Sequence, residues 1–431
     1  MKKAALHNLG CKVNAYETEA MQQMLESAGY EIVSFNDKAD VYVINTCSVT
    51  NMADAKSRKI IKRMRKLNPD AILCVMGCYS QTNPEAKELE GIDILVGNGN
   101  KKDVISYIED KLLDKSIEKQ VKILDILNTY EYEKLEVTTY DHSRAFVKIQ
   151  DGCENFCTYC IIPYARGPIR SKPADDVIDD LKRVTEEGYL EVVLAGIHTG
   201  KYKDGDFNLT SLIKRILTEV PKLKRLRLSS IEINEIDDEF IELMKNSNIL
   251  ANHLHLPLQS GSDIVLSKME RKYNTDFFIE RINKIKQVRP DISISTDVIV
   301  GFPYETDEEY LNSKEFIKKV NFSKIHVFPY SKRRGTKAVL MPQVEDIVKK
   351  KRALDLINLS TELEFNYAQS FIDKTVSVLI EKKLDDNYMI GHSSNYLNVI
   401  VPINENYIKK IVDVKIEKVE SDKVYGKIIN I

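Results

Sequence analysis

The sequence contains no tryptophan, no apolar run approaching the length of a bilayer span, and almost no net charge. The missing run argues against a helical membrane protein, because about 20 consecutive apolar residues are needed to cross the hydrocarbon core. A net charge of −2 provides no global field for nucleic acid, so any contact with RNA has to come from local basic patches. The absence of tryptophan, beside 21 tyrosines, marks no class by itself. Cysteine is sparse, seven in 431 residues, and no secretory signal is recognisable, which argues against a disulfide framework and for a reducing compartment. What is left is the composition of an ordinary globular protein, 43% hydrophobic and 30% charged, with chain enough for two or three domains.

Three of the cysteines stand in DGCENFCTYCIIPYARG, residues 151–167, where Cys153, Cys157 and Cys160 form a C-x3-C-x2-C spacing. Thiolates this close can converge on one face of a short loop and suit a soft metal centre that prefers sulfur. The loop supplies three ligands rather than four, so a four-iron cluster held here keeps one iron open to a small molecule. A zinc site completed by His142 or His198 is the competing reading. Zinc sites, however, usually pair C-x2-C hairpins, and the chain has no second pair.

Residues 1 to about 112 alternate short apolar runs with amphipathic stretches, which predicts a parallel α/β domain. Strands are expected at 4–9, 41–45, 72–76 and 94–96, and helices at 17–28 and 53–67. Cys11, Cys47 and Cys78 each follow a predicted strand by one or two residues. In a parallel sheet those ends share the edge where ligands bind, so three cysteines far apart in sequence can meet and hold a second cluster. Three unrelated buried thiols are the alternative. Cys74, inside its strand, reads as a core residue. The second helix carries Lys56, Arg58, Lys59, Lys62, Arg63, Arg65 and Lys66 with no acid between them, either a solvated face or a phosphate contact. Residues 113–142 carry few signals and read as a connector.

From 143 to 370 strands and helices alternate, with strands expected at 146–149, 191–195, 225–229, 253–258, 293–300 and 324–328. This predicts a partial (βα)6 barrel whose cysteine loop leaves the carboxyl end of the first strand. The same ends carry Gly196, His198, Glu232, Gln259, Ser260 and Gly301, with Asp297 inside the fifth strand. Together they form a polar rim suited to a nucleoside-bearing cofactor, in which His198 reads more readily as a structural hydrogen-bonding residue than as a catalytic one. Residues 371–431 change to five short β-branched runs separated by turns, which predicts a small all-β barrel of the oligonucleotide-binding type.

These parts in this order resemble the methylthiotransferase family of radical S-adenosylmethionine (SAM) enzymes over nearly the whole chain. The motifs are LGCKVNAYETE at 9–19, INTCSVT at 44–50, MGCYSQ at 76–81, the tri-cysteine loop with Pro163, Arg166, Gly167 and Arg170, and VIVGFPYET at 298–306. The last module resembles the TRAM domain, an RNA-binding barrel appended to RNA-modifying enzymes. The resemblance implies an N-terminal domain with an auxiliary cluster (1–112), a connector (113–142), a radical SAM barrel (143–370) and a TRAM barrel (371–431). It implies two [4Fe-4S] clusters. The cluster on Cys153, Cys157 and Cys160 would reduce SAM to a 5′-deoxyadenosyl radical that takes a hydrogen from carbon 2 of an adenine. The cluster on Cys11, Cys47 and Cys78 would carry sulfur that a second SAM methylates. Gly196, Gln259, Asp297 and Gly301 are the implied SAM contacts.

Lys12 and Val13 make the chain most like the branch acting on tRNA that carries N6-threonylcarbamoyladenosine beside the anticodon. Branches for isopentenyladenosine or a ribosomal protein are the alternatives, as is a non-catalytic iron–sulfur or RNA-binding protein. A threonylcarbamoyl group carries a carboxylate, so Lys12, beside Cys11, and Arg333, Arg334 and Lys337 in SKRRGTK are the candidate substrate contacts. The expected partners are tRNA and a flavodoxin- or ferredoxin-like electron donor, with the sulfur source open, no membrane, and a cytoplasmic location.

Overall fold

The apolar runs of the first part of the chain assemble into one parallel sheet. In this computed structural model, which describes every residue except 115, 141 and 431, the strands are β1 (Lys3–Asn8), β2 (Glu31–Ile32), β3 (Val41–Thr46), β4 (Ile72–Gly77), β5 (Ile94–Val96) and β6 (Gln120–Lys122). They lie in the order β2-β1-β3-β4-β5-β6. β3 and β4 are buried at every position, as strands covered on both faces must be. The chain passes first to one side of β1 and then to the other, and the crevice at such a switch point is where open parallel sheets bind ligands. The helix α1 (Lys12–Ser27) begins ahead of its predicted start and takes Cys11 as its N-cap. α2 (Asn51–Leu67) begins at Thr50, whose hydroxyl accepts the Ala53 N–H at 3.1 Å, and α3 (Cys78–Thr82) follows β4 directly.

The stretch read from sequence as a connector contributes β6. Its later part also packs: Leu135, Val137 and Tyr140 are buried in the central core, and the Tyr16 hydroxyl of α1 donates to the Leu135 carbonyl at 2.6 Å. Short apolar residues scattered among Lys, Glu and Tyr gave no period to read, yet each fills a gap between the two domains.

The central region has two parallel triplets. β7 (Ala145–Lys148), β8 (Glu191–Ala195) and β9 (Arg225–Leu228) form one, and β10 (His253–His255), β11 (Ser293–Val300) and β12 (Lys324–Pro329) the other. Bridges Leu226↔Leu250 and Ser230↔His255 join them, so six strands in chain order make a partial barrel. β10 stops short of its predicted end; the chain rejoins the sheet at the single bridge Gln259↔Val298. β7 leads through the cysteine loop into α4 (Ile162–Arg166).

At the C-terminal end β13 (Thr375–Lys383), β14 (Tyr388–Ser393), β15 (Asn398–Pro402), β16 (Ile411–Glu420) and β17 (Lys423–Asn430) close into a barrel in the order β13-β14-β15-β17-β16. Closure removes the free edges that would otherwise invite pairing with other chains. Arg225 and Arg227 alternate with leucines on β9 and therefore share a face. Both pair with Glu191, at 2.9 and 2.8 Å. Their other N–H groups donate to the carbonyls of Ser377 (3.0 Å), His392 (3.3 Å), Ser393 (3.1 Å) and Ser394 (3.2 Å), which seats the barrel on the sheet. Among the described residues no helix is long and apolar enough to cross a membrane.

Candidate active site: two cysteine triads on one cavity

β1, β3 and β4 end side by side, and the residues that follow bring Cys11, Cys47 and Cys78 together. Two turns make this possible. Gly10 has φ +113°, and a Cβ there would come within 2.9 Å of the Cys47 Cβ; Gly77 has φ +101°, and a Cβ would meet Asn45 Oδ1 at 2.5 Å. A larger residue at either position strains the backbone and displaces a thiol. Cys11 caps α1, where the helix dipole favours its thiolate. Burial pushes the Cys11 thiol up against the opposing charge of Arg166, and burial together with Cys78 pushes Cys47 up to about 11. Such thiols stay protonated in the bare protein and release their protons to a metal. Asn98 Nδ2 donates to Cys78 Sγ at 3.4 Å and to the Ala165 carbonyl at 2.8 Å, and Asn98 Oδ1 accepts from Lys101 at 2.7 Å. Cys74 lies in the apolar core with Val43, Met76 and Ile94, where burial pushes its thiol up to about 12.

The second triad needs only one loop. Burial and the neighbouring Cys157 push Cys160 up to about 12. Arg271 donates to Cys157 Sγ at 3.2 Å and forms an ion pair with Glu232. His198 Nδ1 lies 3.5 Å from Cys153 Sγ, and its Nε2 lies 2.5 Å from Glu235 Oε1. Burial opposes charge on His198, but Cys153 and Glu235 outweigh it and lift its pKa to about 10. His142 is exposed, edge-on to the Phe146 ring. Each triad thus offers three sulfurs and no fourth cysteine, with a side-chain hydrogen-bond donor against a ligand sulfur. That donor set fits an iron–sulfur cluster with one iron left open.

A cavity of about 1080 Å³ joins the triads, with Cys11 from the first and Cys153, Cys157 and Cys160 from the second on its wall. Of the expected SAM contacts, Gly196, Gln259 and Asp297 line it. Gly301 sits behind the wall, where its N–H donates to Glu305 Oε1 at 2.7 Å. Gln259 takes a left-handed φ of 64° and is pinned on both sides, its N–H to the Asp297 carbonyl and its carbonyl to the Ile299 N–H, each at 2.8 Å. Lys12 lines the cavity. Arg333 is buried elsewhere, paired with Asp54 at 2.8 Å and donating to Ser48 and Asn51 at 2.7 and 2.9 Å, so it fastens the N-terminal domain to the barrel. Arg334 is exposed and Lys337 pairs with Glu270 at 2.8 Å.

Sequence reasoning missed two groups. His253, His255 and His326 line the cavity, with His255 Nε2 3.2 Å from Asp297 Oδ2; the HLH alternation in an otherwise apolar strand was the available signal. The other is a buried ion network. Glu17 of α1 pairs with Arg166 at 2.5 Å, Lys101 at 2.8 Å and Lys148 at 3.0 Å, and Asp151 pairs with Lys148 at 2.7 Å and Arg166 at 3.2 Å. Burial alone would raise the Glu17 carboxyl, but the three cations outweigh it and hold it well below the usual carboxylate range. The network ties the helix that starts at Cys11 to the segment that carries the loop triad. Its signal was an acid on the buried stripe of α1, between Val13 and Met21.

A partial barrel of parallel strands with a C-x3-C-x2-C loop at the carboxyl end of the first one defines a radical SAM enzyme. Family models agree along the chain: the Radical SAM superfamily matches residues 147–317, the Uncharacterized protein family UPF0004 residues 3–97, and the TRAM domain residues 369–429. The threonylcarbamoyladenosine tRNA methylthiotransferase MtaB of Bacillus subtilis (strain 168) is 45% identical over 97% of this chain and 94% of its own. A tRNA-2-methylthio-N(6)-dimethylallyladenosine synthase of Thermoanaerobacter sp. (strain X514) is 34% identical over 99% of this chain and 92% of its own. The chain belongs to the MtaB-type family of radical SAM methylthiotransferases. The solved structure of the radical SAM methyltransferase TsrM from Kitasatospora setae, with cobalamin and a [4Fe-4S] cluster bound, shares the fold over 79% of this chain and 77% of its own, at a TM-score of 0.57 and 16% identity.

Proposed function

We infer that the protein converts N6-threonylcarbamoyladenosine beside the anticodon of tRNA to its 2-methylthio derivative. The observation that carries this reading is the shared cavity: activation of carbon 2 and delivery of sulfur must reach the same base, and Cys11 and the loop triad face one cavity. In this reading each triad holds a [4Fe-4S] cluster, which when bound supplies the electron that opens SAM at the loop triad and an open iron for sulfur at the other.

The chain's own residues hold, orient and exclude water. Arg271 and His198 fix the Cys157 and Cys153 sulfurs by hydrogen bonds. Gly196, Gln259, Asp297 and Ile299 offer the wall for the nucleoside of SAM. Gly301 keeps its turn because Glu305 is clamped in turn by Arg352 at 2.6 Å. For the tRNA, Lys56, Lys59, Lys62 and Lys66 are exposed on α2, whereas Arg65 is tied to Asp93 at 2.5 Å inside the domain. The exposed lysines and the TRAM barrel support a salt-dependent grip on the RNA backbone. The reducing electron comes from a flavodoxin- or ferredoxin-like donor, and the reaction belongs to the cytoplasm.

Mass spectrometry of tRNA nucleosides from cells with and without the protein tests this. Loss of the 2-methylthio form with accumulation of N6-threonylcarbamoyladenosine is expected. Loss of methylthiolated isopentenyladenosine instead would move the protein to the branch of the dimethylallyladenosine relative.

A further inference from the structure

Part of the cavity wall belongs to the C-terminal barrel: His392, Asn395, Tyr396 and Leu397, around the turn between β14 and β15. Tyr396 takes φ 67° in this turn, a left-handed conformation sparsely populated by bulky residues and persisting only where the surroundings enforce it. Its ring lies in the cavity wall, stacked on His253 with centroids 4.6 Å apart and planes at 21°. Arg227 and Arg144 stand 4.7 and 5.7 Å from the ring centre. Lys12, from the N-terminal domain, lines the same cavity and is near enough for its charge to act on the phenol.

Cations outnumber carboxylates around the Tyr396 ring, while Glu232 and Asp297 stand elsewhere on the cavity wall. Lys12, Arg144, Arg225 and Arg227 gather around two carboxylates, Glu191 taking Arg225 and Arg227 at 2.9 and 2.8 Å and Glu381 taking Arg144 and His392, each at 3.0 Å. Among the described residues Lys12 forms no ion pair. The Lys12 ammonium, exposed on the cavity wall, is solvated in the free protein and able to donate a charge-assisted hydrogen bond to an anionic ligand. The Tyr396 hydroxyl adds a neutral donor.

We propose that Lys12 and Tyr396, backed by Arg144 and Arg227, form the subsite for the carboxylate of the threonylcarbamoyl group. The C-terminal barrel then helps to choose the base as well as to grip the RNA. This rests on the substrate reading above. The carboxylate is the one anionic group on the modified base, and an isopentenyl substituent lacks it. A ligand without it gives the exposed Lys12 ammonium and the half-buried Tyr396 hydroxyl no anion to bind, and a site that hydrogen-bonds a substrate group discriminates against an analogue lacking it.

The test is equilibrium binding of the reconstituted holoenzyme to anticodon stem-loops carrying threonylcarbamoyladenosine, isopentenyladenosine or plain adenosine. The wild type is expected to favour the first over the others by roughly 10-fold to 100-fold, the range set by one charged hydrogen bond. Tyr396→Phe and Lys12→Met should each shrink that ratio, Lys12→Arg should restore it, and SAM affinity should stay unchanged. Tyr396→Phe keeps the ring and is distant in sequence from every cysteine, so it reports even where Lys12→Met loads its cluster poorly. Equal losses for all three stem-loops, a parallel loss of SAM affinity, or an unchanged ratio in both variants would overturn the subsite alone. A wild type that prefers isopentenyladenosine would overturn the substrate reading and the subsite with it.

Discussion

The two cysteine triads meet the same coordination need by opposite routes. Cys153, Cys157 and Cys160 share one loop between β7 and α4, whereas Cys11, Cys47 and Cys78 come from three separate strand ends. The loop needs only its own backbone and the strand that launches it. The dispersed triad needs the register of three strands, the turns at Gly10 and Gly77, and the contact of Asn98 with both Cys78 and Ala165. Closing a short loop is cheap in entropy, while the dispersed set exists only once the tertiary fold does. Metal binding at the dispersed triad is therefore folding free energy for the sheet, and at the loop triad mainly for the loop.

Cys157→Ala breaks the loop side most severely: it removes one of three ligands and should take SAM cleavage, followed as 5′-deoxyadenosine release, to background. Retained cleavage would mean that the loop is not the SAM site. Cys78→Ala should stop methylthiolation and remove roughly four irons while cleavage persists. Its control is Cys74→Ala, in the same strand region, expected to keep its iron and to lose about 1 kcal/mol of stability; equal iron loss from both would dissolve the dispersed triad as assigned.

Glu17→Gln acts on the joint between the triads. It leaves Arg166, Lys101 and Lys148 facing a neutral group, which should cost about 3–5 kcal/mol in denaturant unfolding and loosen both triads together. Because the Glu17 carboxyl is held below its ordinary value in the folded state, its contribution is complete above the unfolded pKa of about 4.3 and is lost as pH falls through the lower folded value. Wild-type stability should therefore drop more steeply in acid than that of Glu17→Gln, and parallel pH curves would count against the network. A smaller effect than that of Glu17→Gln is expected from Asn98→Leu, which removes the donor to Cys78 together with the bonds to the Ala165 carbonyl and Lys101, about 1.5–3 kcal/mol. It should speed iron loss to a chelator from the dispersed triad only; equal speeding at both sites would erase the distinction between them.

This contrast also explains what could be read from the sequence. The loop triad was legible from spacing, because its ligands are neighbours. The dispersed triad was legible only through topology, since strand ends in a parallel sheet share an edge, and that inference needed no distances. Gly196, Gln259 and Asp297 were accessible for the same reason. What stayed hidden depends on how domains dock. Glu17 looks like one more surface acid until Arg166 of a distant segment meets it. Arg333 looked free for substrate until Asp54 of another domain was placed beside it. The strand at Gln120–Lys122 pairs only because Ile94–Val96 offers it an edge. Nothing in SSNYLN announces that its tyrosine belongs to a cavity wall.

The grip of Arg225 and Arg227 on the C-terminal barrel is made largely to main-chain oxygens, at Ser377, His392, Ser393 and Ser394. Every residue type carries such an oxygen, so the joint is nearly blind to the module's composition and sensitive to its path. Over evolutionary time the barrel's outer face is free to drift toward new RNA shapes without coming loose from its host. A foreign barrel grafted in its place meets these two arginines if it carries its chain along the same course, though it must also replace the Glu381 partner of Arg144 and the Tyr396 stack on His253. A proline or an inserted residue within residues 392–394, by contrast, would loosen the grip while leaving the barrel itself folded.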